Sequence, residues 1–454
     1  MTGSPESYSV VTQRSHQAVL LVRDGSGWSL PAHADSIAHR VVADLADRYG
    51  VAVEIDGRAW ELTHDGLAYG YLATASGEGT GVPSPDTRWV KPDELADLPL
   101  TVAEHRAVLS DWAASRTPGA DPLLTQPWAD AGWRTAASEW ITAGARAAGH
   151  VPTGPVEQFV SSPYSYTSRL PTDRGAVWFK SATPSFRHEP ALVDLLHRHA
   201  PGIVPTVLAH DPERRWLLTD DIGPYRLVGD DLDDLDDLDT YAAAVTRYAR
   251  LQRALVPAGA ELAELGVPDR RLSVLPDLLA ELADDHRVLL LDDATALTPE
   301  EHRRLVGYLP RFADLCADLA GLGLPEVLQN TDFWRDCVLI REDDVVLLDW
   351  AESVLANPLS SLTMVHRDPA LEEHPQRQSI LDRLTTAYLD AWADLHPRER
   401  LAAELERARP TGIVLRALSW RSCMDTIQDL SRYPGTRGVV ARNMRALLAF
   451  ADPA

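Results

Sequence analysis

Hydrophobic and polar positions alternate most tellingly between Val327 and Leu359, in VLQNTDFWRDCVLIREDDVVLLDWAESVLANPL. Apolar residues fill Cys337 to Arg341 and Val345 to Leu348, and an acidic tip of Glu342, Asp343 and Asp344 separates them. Short apolar runs bounded by polar turn residues predict two buried strands joined as a hairpin. Asp332 enters that hairpin and Asp349 leaves it, so a carboxylate stands at each end of one short unit.

Upstream, the run Gln17 to Val22 with Trp28 and Leu30 across a Gly-rich turn predicts another hairpin. In Ser36 to Tyr49 the apolar residues Ile37, Val41, Val42 and Leu45 form a helical stripe that Gly50 ends. Strands at Val51 to Ile55, Leu67 to Ala73 and Trp89-Val90, then an exposed helix from Val102 to Ala113, complete an α+β unit over residues 1–116. The Pro- and Gly-rich stretch Thr117 to Pro127 reads as a linker, and a helix from Ala129 to Ala148 follows, so 117–153 joins two units. Trp133, Trp140 and Ile141 share one side of that helix, the spacing of core contacts.

Residues 154–225 alternate as a small β-rich lobe. Strands are expected at Val156 to Phe159, Ser168 to Pro171 and Ala176 to Lys180, then a helix opening at Glu189, then a strand pair ending with Trp216 to Thr219 before Asp-Asp-Ile-Gly. Residues 226–454 form a large helical lobe around the hairpin, with helices at Thr240 to Leu255, Val274 to Ala283, Pro299 to Leu319 and Gln378 to Leu395. The acidic run Gly229 to Asp239 reads as a solvated loop capping the first of these. Between Gly412 and Arg432, Arg416, Trp420, Arg421 and Asp425 recur at helical spacing.

Composition narrows the classes. With 454 residues, 45% hydrophobic and 24% charged, the chain can bury several cores. No apolar run approaches the roughly 18 residues of a membrane span, so no membrane partner is expected. The start has no secretory pattern, and Cys316, Cys337 and Cys423 are odd in number and widely spaced; a reduced, cytoplasmic protein is the expectation. A net charge of −24 opposes a nucleic-acid partner and is compatible with a cationic substrate, or equally with a solvated acidic surface. Nothing in the pattern sets an oligomeric state. Of 43 basic residues only Lys91 and Lys180 are lysine, which singles out Lys180 as a place where a compact ammonium is wanted.

Two carboxylates on one hairpin suit phosphoryl transfer. One orients or deprotonates an attacking hydroxyl and the other holds the magnesium that bridges nucleotide phosphates. The segment resembles the catalytic stretch of the aminoglycoside phosphotransferase-like kinases, whose pattern is H-x-D-x-x-x-x-N, a hairpin, then D-W or D-F. The resemblance implies that Asp332 is catalytic and Asp349 binds metal, with Asn330 where the family has His and Cys337 where it has the metal-binding Asn. A thiol is a poor magnesium ligand, and Asp336 is the nearby oxygen donor that would replace it. Further implied are a nucleotide-phosphate clamp of Lys180 and Glu189, phosphate contacts from the turn beginning Ser161-Ser162, and an inter-lobe hinge at Thr219. Glu352, Trp420 and Asp425 are the implied acceptor contacts. These features keep the family's order across residues 154–450.

The N-terminal order of strand, W-x-L-P (Trp28 to Pro31), helix ending Tyr-Gly-Val, strand resembles a Nudix hydrolase domain. Its acidic box is not kept, because Ala43, Asp44, Asp47 and Arg48 stand at the ligand positions and an arginine there opposes a cation. A Nudix-like fold without hydrolase activity is expected, with His33 and His39 at the surface. The expectation for the whole is an α+β protein: a bilobal protein-kinase-like fold preceded by this small Nudix-like domain. The expected activity is transfer of the γ-phosphate of ATP, with Mg2+, to a hydroxyl of a small molecule such as an antibiotic or sugar. The alternative is a catalytically silent kinase-like binding or scaffold protein.

Overall fold

Adjacent residues of strand β1 (Ser7–Thr12) face opposite ways into two cores, Val10 into one and Val11 into the other. That is the two-residue period of a strand buried on both faces. The computed structural model describes residues 4–13, 18–63, 66–76, 86–228, 235–290, 294–341 and 344–451. Glu342 and Asp343 of the expected hairpin tip, Gln17, and residues 229–234 of the acidic run lie outside them.

The sheet around β1 contains β2 (Val19–Asp24), β3 (Gly27–Ser29), β4 (Ala32–His33), β5 (Val53–Leu62), β6 (Ala68–Ala75) and β7 (Thr87–Val90). Its order is β3-β2-β1-β6-β5, with β4 on β1 and β7 on β2, and β1 runs parallel to β6. Helix α1 (Ala38–Tyr49) covers one face, setting Ala38, Val41 and Leu45 against Leu20, Ile55, Tyr71 and Ala73. Gly50 ends it at φ 65, a conformation that costs glycine little, and donates its N–H to Ala46. Helix α2 (His105–Ala114) covers the other face. It was expected to be exposed, but Val108, Leu109 and Trp112 are buried with Tyr8, Val10 and Leu21, because the second face of the sheet needs a cover. β5 is longer than expected; bulges at Ile55/Gly57 and Arg58/Trp60 interrupt the alternation that would have revealed its second half.

His33 corrects another expectation. It is 1% exposed, its Nε2 lies 2.8 Å from Ser9 Oγ and its Nδ1 lies 2.6 Å from Asp44 Oδ2. Pairing of β4 with β1 carries it under α1, where burial lowers its pKa against the pull of Asp44. His39 is half-buried, its ring 5.7 Å from that of Phe159.

Asp130 caps helix α3 (Ala131–Ala147) by accepting from Trp133 N–H at 2.8 Å. The antiparallel meander β8 (Glu157–Ser161), β9 (Ser165–Thr172) and β10 (Gly175–Ala182) follows. Trp133 and Trp140 pack on Phe179 of β10 with centroids 6.2 and 5.9 Å apart, as their helical spacing predicts.

One compact unit runs to Thr183 and also takes in Cys423–Arg437; Pro184–Ser422 and the residues from Gly438 onward form the other. The second unit opens with α4 (Glu189–His199), the antiparallel pair β11 (Val207–Asp211) and β12 (Trp216–Asp220), and β13 (Arg226–Leu227). Helices α5 (Leu235–Leu255), α6 (Gly259–Glu264), α7 (Leu275–Ala283), α8 (His286–Leu289) and α9 (Pro299–Ala320) precede β14 (Val327–Asn330), β15 (Val338–Arg341), β16 (Asp344–Leu347) and β17 (Ser353–Ala356). Short helices α10 (Thr363–His366) and α11 (Pro369–Glu372) lead to α12 (Arg377–Leu389) and α13 (Arg398–Met424). The helical spacing read at Gly412 to Arg432 thus belongs to α13, and Asp425 lies past its last turn.

After α13 the chain packs within the first unit before returning as α15. Thr426 Oγ1 donates to Pro163 O at 3.2 Å, Arg432 Nη1 to Leu123 O at 2.8 Å and Tyr433 Oη to Arg58 O at 3.1 Å. Thr436, in α14 (Pro434–Arg437), donates its N–H and hydroxyl to the Glu61 carboxylate at 2.9 and 2.7 Å. The last helix is α15 (Val439–Leu448). Among the described residues no helix is long and apolar enough to cross a membrane.

Candidate active site

The hairpin works by bringing its own ends together. β14 and β17 pair antiparallel with Asn330 opposite Ser353 and Gln329 opposite Val354, and the β15–β16 hairpin is looped out between them. Asp332, just past β14, and Asp349 to Glu352, just ahead of β17, therefore share one locality.

A buried polar layer fixes the floor. Gln252 of α5 donates to Leu328 O at 2.9 Å, Tyr248 Oη accepts from Asn330 N–H at 2.8 Å, and Ser360 Oγ donates to Gln329 Oε1 at 2.8 Å. The Tyr248 ring stacks on Phe333 at 4.1 Å. With these partners satisfied, displacement of the strand leaves several buried groups unpaired.

Asn330 joins the two carboxylate turns. Its Oδ1 accepts from Asp332 N–H at 3.0 Å, and its Nδ2 donates to Asp349 O at 2.8 Å. Asp349 sits at φ 57, the left-handed region that costs an L residue roughly 1–2 kcal/mol and that Asp visits more readily than most. The amide contact supports it there.

Asp332 is paired with a residue to which the sequence assigned no role. Arg416 Nη2 lies 2.8 Å from Asp332 Oδ1, and its Nη1 bonds Glu352 Oε2. The Trp420 ring centroid is 5.1 Å from the guanidinium carbon. Ser419 Oγ, one turn from Arg416, is 2.7 Å from Thr331 Oγ1 and accepts from Arg270 Nη1 at 3.0 Å, which docks α13 on the segment that follows β14. An arginine on the same helical face as Ser419 and Trp420 was the available signal. Burial pushes the Asp332 carboxyl up to about 8; Glu352, Asp349 and Asp336 add repulsion, and Arg416 works against them.

The donor set departs from the magnesium site that the sequence resemblance implies, and offers two carboxylates in place of a complete ligand set. Cys337 is 4% exposed, its thiol donates to Asp332 O at 3.2 Å, and burial with the nearby Asp349 and Asp332 carboxyls raises its pKa well above the ordinary thiol value. A neutral thiol is no ligand for a hard cation. Asp336 is half-exposed, 3.8 Å from Arg335 Nε, and Asp349 supplies one carboxylate. Among the described residues no group of three or more His, Cys, Asp or Glu side chains is gathered to hold an ion.

The other sequence candidates are dispersed through both units. Lys180 lies on β10 opposite Thr167. Ser161, which ends β8, is fully buried, and the Ser162 hydroxyl is used inside its own turn, accepting from Ser165 N–H at 2.9 Å. In the second unit Glu189 is the buried first residue of α4, and Thr219 lies on β12 opposite Val207. Beside Glu189, His188 is buried against the backbone of Ala351, and burial lowers its pKa to about 4, so its imidazole is neutral. Asp425 belongs to the first unit, and Glu352 and Trp420 to the second.

No protein-family model matches the chain, and no curated protein matches it. Solved structures do. A choline kinase from Streptococcus pneumoniae is 13% identical, with 70% of this chain and 100% of that chain covered and a TM-score of 0.46. A macrolide 2'-phosphotransferase type I is 17% identical over 70% of this chain and 98% of that one, with a TM-score of 0.43. An ethanolamine kinase from Plasmodium vivax is 11% identical over 65% of this chain and 81% of that one, with a TM-score of 0.45.

Proposed function

We propose that the chain is a kinase-like phosphotransferase that moves the terminal phosphoryl group of a nucleoside triphosphate to a hydroxyl of a small molecule. The observation that carries this reading is the part-buried Asp332 carboxyl, raised to about 8 and tied through one Asn330 amide to the turn of Asp349. A carboxylate with a pKa near the working pH is suited to take a proton from a hydroxyl as it attacks. Asn330 and Arg416 orient it, so that its position is set before an acceptor arrives. In the same reading Lys180 holds the nucleotide phosphates through its ammonium. Asp349 and Asp336 are the oxygens offered to a cation.

A second reading, a silent kinase-like binding protein, is favoured by Cys337, whose buried neutral thiol removes one metal ligand. Calorimetric titration of ATP, with and without magnesium, into wild type and Asp349→Asn separates the two. Binding that needs both magnesium and Asp349 supports the transferase and justifies screening hydroxylated acceptors for phosphate transfer. Binding indifferent to both, or none, sinks it in favour of the silent protein.

A further inference from the structure

The carboxylates beside the proposed transfer site are neutralised from within the chain. Arg416 Nη2 is 2.8 Å from Asp332 Oδ1 while Nη1 bonds Glu352, and the three side chains are only 8%, 24% and 16% exposed. The guanidinium does not swing freely. The Trp420 ring lies 5.1 Å from it, and the helix that carries it is held by Arg270 bonding Leu415 O at 3.1 Å and by the contact of Ser419 with Thr331. An aspartate and a glutamate left bare in such a place would form a receptor for an ammonium group. Here a fork-shaped cation already uses that capacity, and a buried guanidinium cannot surrender both partners to a second cation without being left uncompensated.

We propose that Arg416 is a built-in counter-cation that sets acceptor specificity. The acceptor then presents its hydroxyl to Asp332 from an uncharged polyol or glycoside surface, and polyamines and aminocyclitols are excluded. This departs from the cationic substrate that the net charge of −24 suggests, because the local balance at Asp332 and Glu352 differs from the global one. It rests on the transferase reading, which identifies the surroundings of Asp332 as the acceptor side.

The test is calorimetric titration of two polycationic probes, spermine and kanamycin, into the full chain. It is run at about 0.15 M salt, to screen binding to the acidic surface at large, and at a pH above the Asp332 titration. Wild type is expected not to bind either probe. Arg416→Gln bares Glu352 and is expected to gain at least about tenfold in affinity, carried by Glu352 because loss of the guanidinium favours the neutral form of Asp332; Glu352→Gln added to it should remove the gain. Arg416→Lys keeps a charge at the site and should still exclude both probes, which guards against a folding defect in the glutamine variant. Tight binding by wild type that Glu352→Gln abolishes would overturn the proposal, as would a folded Arg416→Gln variant without the gain. No nucleotide is present, so failure of the transferase reading appears separately, in the magnesium-dependent ATP titration.

Discussion

Asn330 donates its side-chain amide to the main-chain oxygen of Asp349 across 2.8 Å, and the oxygen of the same amide receives Asp332 N–H at 3.0 Å. One planar group thus sets the distance between the turns that carry both carboxylates. It also supports Asp349 at φ 57.

Removing that link should loosen the site. Asn330→Ala removes both bonds, and because each is part-buried the loss should be about 1 kcal/mol per bond. Asn330→His should lose less, since a neutral imidazole offers one donor and one acceptor. Urea denaturation of the two variants ranks them, and equal stabilities would contradict the bridging role.

Asp332 should make stability depend on pH. Its carboxyl titrates near 3.8 when unfolded and at about 8 when folded. Between these values the folded chain holds a proton that the unfolded chain lacks, so stability falls as pH rises through that window and levels off above it. Asp332→Asn should therefore gain on wild type between pH 4 and 8, by no more than a few kcal/mol. Thermal melts across that range give the slope, and parallel curves would refute it. On the transferase reading, phosphate transfer by wild type should climb with pH and level off above about 8, as a base must first lose its proton.

Cys337 should behave as a buried neutral thiol. Native protein should react slowly with iodoacetamide at this position, and denaturation should release the reactivity. Cys337→Asn replaces the thiol with an oxygen donor and should raise magnesium-dependent nucleotide affinity by about tenfold or more. An unchanged affinity would show that the metal, if used, is held without this position.

Glu61 should anchor the returning segment of the first unit. It is 9% exposed and accepts both the N–H and the hydroxyl of Thr436. Glu61→Ala leaves two buried donors unpaired and should cost about 1–3 kcal/mol each at most. Hydrogen exchange should rise across residues 423–437 in particular; exchange that rises evenly through the chain would argue against a local anchor.

Much of the chain was legible in its pattern of apolar residues. The hairpin of β15 and β16, the stripe of α1 and the aromatic face of α3 follow from periods of two and 3.6 residues, because side-chain direction is a local property of the backbone. The placement of Asp332 and Asp349 at the hairpin ends was equally local. Packing between elements decided the rest. His33 is buried because β4 pairs with β1, α2 is half-buried because a sheet has a second face, and β5 runs on through bulges that hide its alternation. Arg416 shares a helical face with Ser419 and Trp420, but that spacing does not say which carboxylates it meets. Only the docking of α13 on the segment that follows β14 puts its guanidinium between Asp332, 84 residues earlier in the chain, and Glu352, 64 residues earlier. Local periodicity determines which way a side chain points, whereas charge balance at a site is a property of what the tertiary fold brings to meet it.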